Sequence, residues 1–264
     1  AKPAAKPTVK PTVKPTVKPV AKPSKKWVIW SRNWYRMSDC SGPKWDTYVL
    51  NYGTEQHPHI ENIPKCEGSR IWIRMGSDAA LSDINKFKPP THPYELITSD
   101  GDLSVPSQLP LETQRRLLQD PNLKTWYTQN CAPCTHPKMK PIPIGLDLHT
   151  YRGMTYDDMK HMAGGGHTNG MILFDGMTRG MNKERSAADL GLSCIPHEHH
   201  AKMSQKRTFA EYSHHMRGIS PPGNGLDCHR TWELIFLGVV PIVKKGILDA
   251  LYSKLPHGTV QIVR

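Results

Sequence analysis

The stretch Ser220-Pro-Pro-Gly-Asn-Gly-Leu-Asp-Cys-His-Arg-Thr-Trp-Glu-Leu-Ile-Phe-Leu-Gly-Val-Val-Pro-Ile-Val243 constrains the fold more than any other. Pro221, Pro222, Gly223, Asn224 and Gly225 cannot continue a regular element, so they force a loop. A helix is expected from about His229 to Leu237, with Asp227 as its N-cap and Gly238 as its stop. Val239 to Val243 is apolar and rich in β-branched residues, as expected of a strand covered on both faces. Glycines let a backbone approach a ligand closely, and a helix N-terminus attracts phosphate. Arg230 and Glu233 are three apart and share one helix face. There one can meet a diphosphate while the other accepts hydrogen bonds from a ribose diol. The same residues also suit a surface turn followed by a half-buried helix with an ion pair, and spacing alone does not separate the two readings.

Upstream, short apolar strands alternate with helical stretches. Strands are expected at Trp27–Trp30, Asp46–Tyr52, Ser69–Arg74, Tyr94–Thr98, Thr125–Gln129 and Lys140–Ile144, and helices around Ala79–Phe87 and Leu111–Leu118. Residues 146–170 carry little pattern, and Gly164-Gly165-Gly166 marks a break between units. A second series follows: a strand at Asn169–Phe174, a helix around Lys183–Leu190, a strand at Leu192–Ile195, a helix at Arg207–Met216, the stretch above, a helix at Ile247–Leu255 and a last strand at Gly258–Val263. This alternation implies parallel α/β layers, in which ligands sit beyond the carboxyl ends of the strands. Asp78, Asp100 and Asp102 follow such ends and fall at the expected cleft edge, although each equally suits a helix N-cap.

The first 26 residues are different in kind. They repeat Lys-Pro-Thr-Val with a proline at every fourth position, which blocks helix and sheet and favours an extended, disordered arm. Eight of the twelve net positive charges lie in this arm, leaving four for the rest. The basic character is therefore poor evidence for a nucleic-acid groove, and a nucleic-acid binder would owe its affinity to the arm. No run of 18 apolar residues is present and no apolar leader opens the chain, so neither a membrane span nor export is expected. On that ground the six cysteines are expected as free thiols in a cytoplasmic protein. Cys131-Ala-Pro-Cys134 with His136 lacks a second ligand pair for zinc, and Pro196-His-Glu-His-His200 suits a polar loop rim better than a metal site.

The Ser220–Glu233 segment, followed by Leu-Gly-Val-Val-Pro-Ile-Val, resembles the donor-binding segment of exostosin-like glycosyltransferases. Thr98-Ser-Asp-Gly-Asp-Leu-Ser-Val-Pro106 resembles a segment of their N-terminal half. The likeness covers roughly residues 94–110 and 170–256, and within the family it extends to xylosyltransferases that build capsid glycans of large algal viruses. The resemblance implies a GT-B fold, two Rossmann-like domains facing across a cleft. Residues 27–165 would form the acceptor-side domain and 166–264 the nucleotide-sugar-binding domain.

The resemblance further implies an inverting transfer from a UDP-sugar, with UDP-xylose as donor and a glycan hydroxyl as acceptor, a fucose of a capsid N-glycan. No tightly bound cofactor, metal, nucleic-acid partner or membrane span is implied, and the work would be done in the host cytoplasm. Asp100 and Asp102 rank first as base and Asp78 next. Ser220, Gly223, Asn224, Gly225, His229, Arg230 and Arg185, with Arg179 behind them, would surround the diphosphate, and Glu233 would hold the ribose. A chain of the same fold that kept glycan binding and lost turnover is the alternative.

Overall fold

The computed structural model describes residues 34, 37–40, 68–75, 84–148, 156–167, 169–175, 197–200 and 204–264. The arm, the expected strands at Trp27–Trp30, Asp46–Tyr52 and Leu192–Ile195, and the expected helix at Lys183–Leu190 lie outside these residues. The described residues are mixed α/β, with two larger parallel sheets and a short third pair.

The first sheet holds β1 (Arg70–Arg74), β2 (Tyr94–Ser99), β4 (Leu123–Thr128) and β6 (Met139–Pro141), in the order β1-β2-β4-β6 and all parallel. Strand side chains alternate, so neighbours in sequence enter opposite layers. Ile71, Ile73, Leu96 and Trp126 join Ile84, Phe87, Leu117 and Leu123 in one core, while Trp72 and Ile97 pack with Ile142 in another. Both faces are thus covered, which is why apolar residues follow one another at the centres of β1 and β2. Helix α1 (Leu111–Leu118) presses Leu117 into the larger core, and its Arg116 donates to the carbonyls of Ile84 and Phe87. A short pair, β3 (Val105–Pro106) with β5 (Cys131–Ala132), runs beside the sheet.

The second sheet has the order β11-β10-β9-β7-β8, again all parallel, from β7 (Asn169–Asp175), β8 (His197–His200), β9 (His215–Ile219), β10 (Val240–Lys244) and β11 (Gln261–Val263). From β7 the chain steps to β8 on one side, then crosses back to β9 on the other and continues outward. The order reverses between β7 and β9, and in open parallel sheets such a reversal opens a crevice at the carboxyl ends. Helices α2 (Tyr156–Met162), α3 (Gln205–His214) and α4 (His229–Leu237) supply Met159, Phe209, Tyr212, Trp232, Leu234 and Leu237 to the core. Ile144, Leu146 and Met159 belong to this core although they precede residue 166. Helix α5 (Asp249–Tyr252) adds Leu251 and Tyr252.

Several expectations are corrected. Asp227 does not cap α4: the cap position is Cys228, without a side-chain cap bond, and the Asp227 carboxylate turns to other donors. Gly238 does end the helix, at φ 83°, with its amide donating to Ile235 O and the Val239 amide to Leu234 O. Residues 197–200 form an edge strand paired in parallel with β7 rather than a loop rim. Positions 197 and 200 are three apart, a spacing that shares a face in a helix and not in a strand. The helix expected through Met216 ends at His214, and β9 begins at once; α2 was hidden in the patternless stretch.

The free-thiol expectation also fails. Cys131 and Cys134 form a disulfide across a turn that brings their Cα atoms to 5.2 Å, and Cys40 is disulfide-bonded as well. Such cysteine chemistry is more usual in oxidising compartments than in the cytoplasm. Among the described residues Cys228 alone is a free cysteine, and no helix is long and apolar enough to cross a membrane.

Leu96 sits fully buried at the centre of the first sheet. Leu96→Ala is expected to cost about 2–5 kcal/mol through lost burial and a residual cavity, measured by urea unfolding.

Candidate functional site

The site lies where the carboxyl ends of the two sheets meet. Strand β2 ends in Ser99-Asp100-Gly101-Asp102, β4 ends in Gln129-Asn130, and β9 ends in the loop from Ser220 to Asp227. Each turn is held by side chains rather than by continued pairing. The Gln129 side chain accepts from the Asp100 amide at 3.1 Å and donates to Gly101 O at 2.7 Å. Beneath it a relay of hydroxyls runs from Trp126 Nε1 to Thr98 Oγ1, then to Thr128 Oγ1 and on to Gln129 O.

The two leading carboxylates have different surroundings. Asp100 adopts φ 59°, is buried, and accepts from Arg74 Nε at 2.9 Å. That ion pair anchors the end of β2 to the end of β1. Asp102 is exposed, and among the described residues no protein group pairs with its carboxylate. Its backbone abuts the Gly loop: a Cβ placed on Gly225 would stand 3.2 Å from both Asp102 Cα and Asp102 O. The same Cβ would lie 2.7 Å from Asn130 Nδ2, so only glycine fits at this position without a shift.

On the second sheet, Ser220 is fixed by its amide to Ile242 O and by its hydroxyl to Thr231 Oγ1 at 2.8 Å, which ties the start of the loop to α4. Gly223 is half-buried against Cys228, and Asn224 is exposed at the tip. His229 donates through Nδ1 to Gly145 O at 2.7 Å. A carbonyl can only accept, so Nδ1 carries the hydrogen of this contact. Arg230 donates through Nε to Tyr212 OH at 3.1 Å, and Glu233 is buried one turn further along. The first turn of α4 holds no acidic residue and no side chain caps it; the nearest carboxylate is Asp227, just before the cap position. The Cys228 thiol is pushed up by desolvation, against the pull of Arg230.

Asp227 is the most buried charge-bearing group at the junction. Its Oδ2 accepts from Ile144 N at 2.7 Å and its Oδ1 from Trp232 Nε1 at 2.8 Å, while its own amide donates to Asn130 Oδ1 at 2.8 Å. Desolvation pushes its carboxyl up to about 7 in spite of these donors.

The structure therefore brings together Asp100, Asp102, Ser220, Gly223, Asn224, Gly225, His229, Arg230 and Glu233 at or beside the two carboxyl edges. Asp78, Arg179 and Arg185 lie outside the described residues. Gln129, Asn130 and the bridging role of Asp227 were missed. Gln129 and Asn130 follow β4 as Asp100 follows β2, so the rule that singled out the aspartates would have found them had amides been considered with carboxylates. Among the described residues no cluster of three or more His, Cys, Asp or Glu is arranged to hold a metal ion. No protein-family model matches the chain, and a search of curated proteins finds no match.

The raised carboxyl of Asp227 has a pH signature. Between its unfolded value near 4 and its native value of about 7, the native state holds a proton that the unfolded chain has lost. Stability is then expected to fall as pH rises through that window, by about 4 kcal/mol at most, and to level off above it. Urea unfolding from pH 4 to 8 measures this, and Asp227→Asn is expected to flatten the slope even if it lowers stability throughout.

Proposed function

We propose that the chain is an inverting glycosyltransferase that moves a sugar from a UDP-sugar to a glycan hydroxyl, with xylose as the sugar and a fucose of a viral capsid N-glycan as the acceptor. The observation that carries this reading is the meeting of an exposed carboxylate, Asp102, with a Gly-rich loop and an uncapped helix start beside the reversal point of a parallel sheet. A GT-B pairing of two Rossmann-like units is part of the same proposal. It is supported by two parallel sheets whose carboxyl ends touch through Asn130 and Asp227.

In this mechanism Asp102 takes the proton of the acceptor hydroxyl as that oxygen attacks the sugar C1. The bond from C1 to the diphosphate oxygen breaks from the opposite face, so the anomeric centre inverts and UDP leaves. Arg230 and the start of α4 stabilise the charge gathering on the diphosphate. Glu233 accepts from the ribose hydroxyls. Asp100, committed to Arg74, holds the Asp102 turn in place rather than taking the proton. Arg185 and Arg179 are proposed as further diphosphate contacts and Asp78 as the reserve base on sequence grounds alone.

The test is calorimetric titration with UDP and a panel of UDP-sugars, paired with a transfer assay on fucosylated oligosaccharides. Saturable UDP binding with preference for UDP-xylose is expected; binding without sugar preference would remove xylose, and no binding would remove the transferase. Glu233→Ala is expected to weaken UDP binding about 10- to 100-fold, the worth of a charge-assisted hydrogen bond. Asp102→Asn is expected to cut turnover about 10²- to 10⁴-fold with UDP affinity retained, whereas glycan binding without turnover in the parent chain would indicate a lapsed enzyme.

A further inference from the structure

We propose that Asn130 is a positioning residue that locks the Asp102 loop to the Gly225 loop and so sets the separation between the base and the donor. This inference rests on the transferase reading for its catalytic consequence and on geometry alone for the lock. Asn130 is almost fully buried and engages three segments at once. Its backbone carbonyl accepts from the Val105 amide at 3.0 Å, its Nδ2 donates to Gly101 O at 3.1 Å, and its Oδ1 accepts from the Asp227 amide at 2.8 Å. The orientation of the amide is forced, because Gly101 O can only accept and Asp227 N can only donate. No other residue type of this size offers one donor and one acceptor at these two points. Aspartate would set an oxygen against Gly101 O, and leucine would leave the buried Asp227 amide unpaired and Gly101 O with Gln129 alone.

Two further features fit this role. Asn130 stands at φ 51°, a left-handed conformation that asparagine tolerates better than most residues. Gly225 packs directly on Nδ2, so the loop that carries the helix start is seated against the amide as well as bonded through it. Arg230 and Glu233, assigned to the diphosphate and the ribose, lie in α4 and are not among the hydrogen-bond partners of Asn130. Loosening the lock should therefore leave UDP affinity largely intact and spoil the alignment of acceptor, base and C1.

Asn130→Gly is the informative variant, since glycine accepts φ 51° and any loss reports the side chain and not backbone strain. Gly225→Ala forces the same seam apart from the other side. For each variant and the double variant, kcat, donor KM, UDP affinity and melting temperature are measured, with amide exchange at Asp227. Expected are kcat losses of about 10- to 100-fold for either single change, with KM and UDP affinity within about threefold of the parent in Asn130→Gly, whose side chain is not assigned to the donor. The double variant should be no worse than the poorer single one, because both act on one contact. Exchange at the Asp227 amide should accelerate in Asn130→Gly. Parental kcat in Asn130→Gly, additive losses in the double variant, or unchanged Asp227 exchange would each overturn the proposal. A parent chain that neither binds UDP nor turns over would sink the transferase reading by itself, and Asp227 exchange would still decide for or against the lock.

Discussion

The junction of the two sheets depends on one buried carboxylate. Asp227 holds the amide of Ile144, in the segment leaving the first sheet, and the indole of Trp232, in the core helix of the second. Taking a carboxylate out of water costs several kcal/mol, and a well-packed apolar group would often be more stabilising. What an apolar group cannot do is specify direction. Two donors from distant segments converge on two oxygens of one rigid group, and the amide of the same residue is fixed to Asn130. The cost of burial is thus offset partly by hydrogen bonds and partly by a single allowed arrangement of three chain segments.

That arrangement explains how two aspartates two residues apart acquire different uses. Asp100 lies under the sheet edge, where Arg74 satisfies it; Asp102 emerges on the far side of Gly101, where it meets the Gly loop. The tight turn between them is stapled from below by Gln129. One carboxylate is spent on architecture so that the other can be held at the surface in a fixed place. For the proposed displacement, rigid support of this kind would matter to rate, because small misplacements of reacting groups weigh heavily on it.

Much of the framework was legible because it follows from periodicity and punctuation. Helix α1 and helix α4 fall on Leu111–Leu118 and His229–Leu237 as expected, and β1, β2, β7 and β10 lie within a residue or two of their expected bounds. These are long apolar or amphipathic runs closed by Gly or Pro, where local preference and burial agree. The failures share a different cause. Helix α2, with Tyr156 and Met159 spaced by polar residues, buries too narrow a stripe to register. Strand β9, His-Met-Arg-Gly-Ile, has polar and exposed positions, and it is a strand because β7 and β10 flank it on both sides. The disulfide was missed because the redox setting was inferred from the chain start, whereas the bond is a matter of local turn geometry.

The site was half legible for a related reason. Residues proposed to touch a ligand stand out by type, as glycines, an arginine or a carboxylate at a strand end. Residues that hold those in place do not. Asp227 resembles a helix cap in sequence, and only the approach of Ile144 and Trp232 reveals that its carboxylate faces inward. Gln129 and Asn130 carry no charge and no motif, yet they join loops about thirty and about a hundred residues apart in sequence. A polar residue at such a junction is selected by the geometry of backbone groups brought from elsewhere, which no local pattern encodes. Where a parallel sheet ends in successive polar turns, the amides beside the carboxylates therefore merit the same scrutiny as the carboxylates themselves, because a buried backbone donor or acceptor at a loop crossing must find a partner.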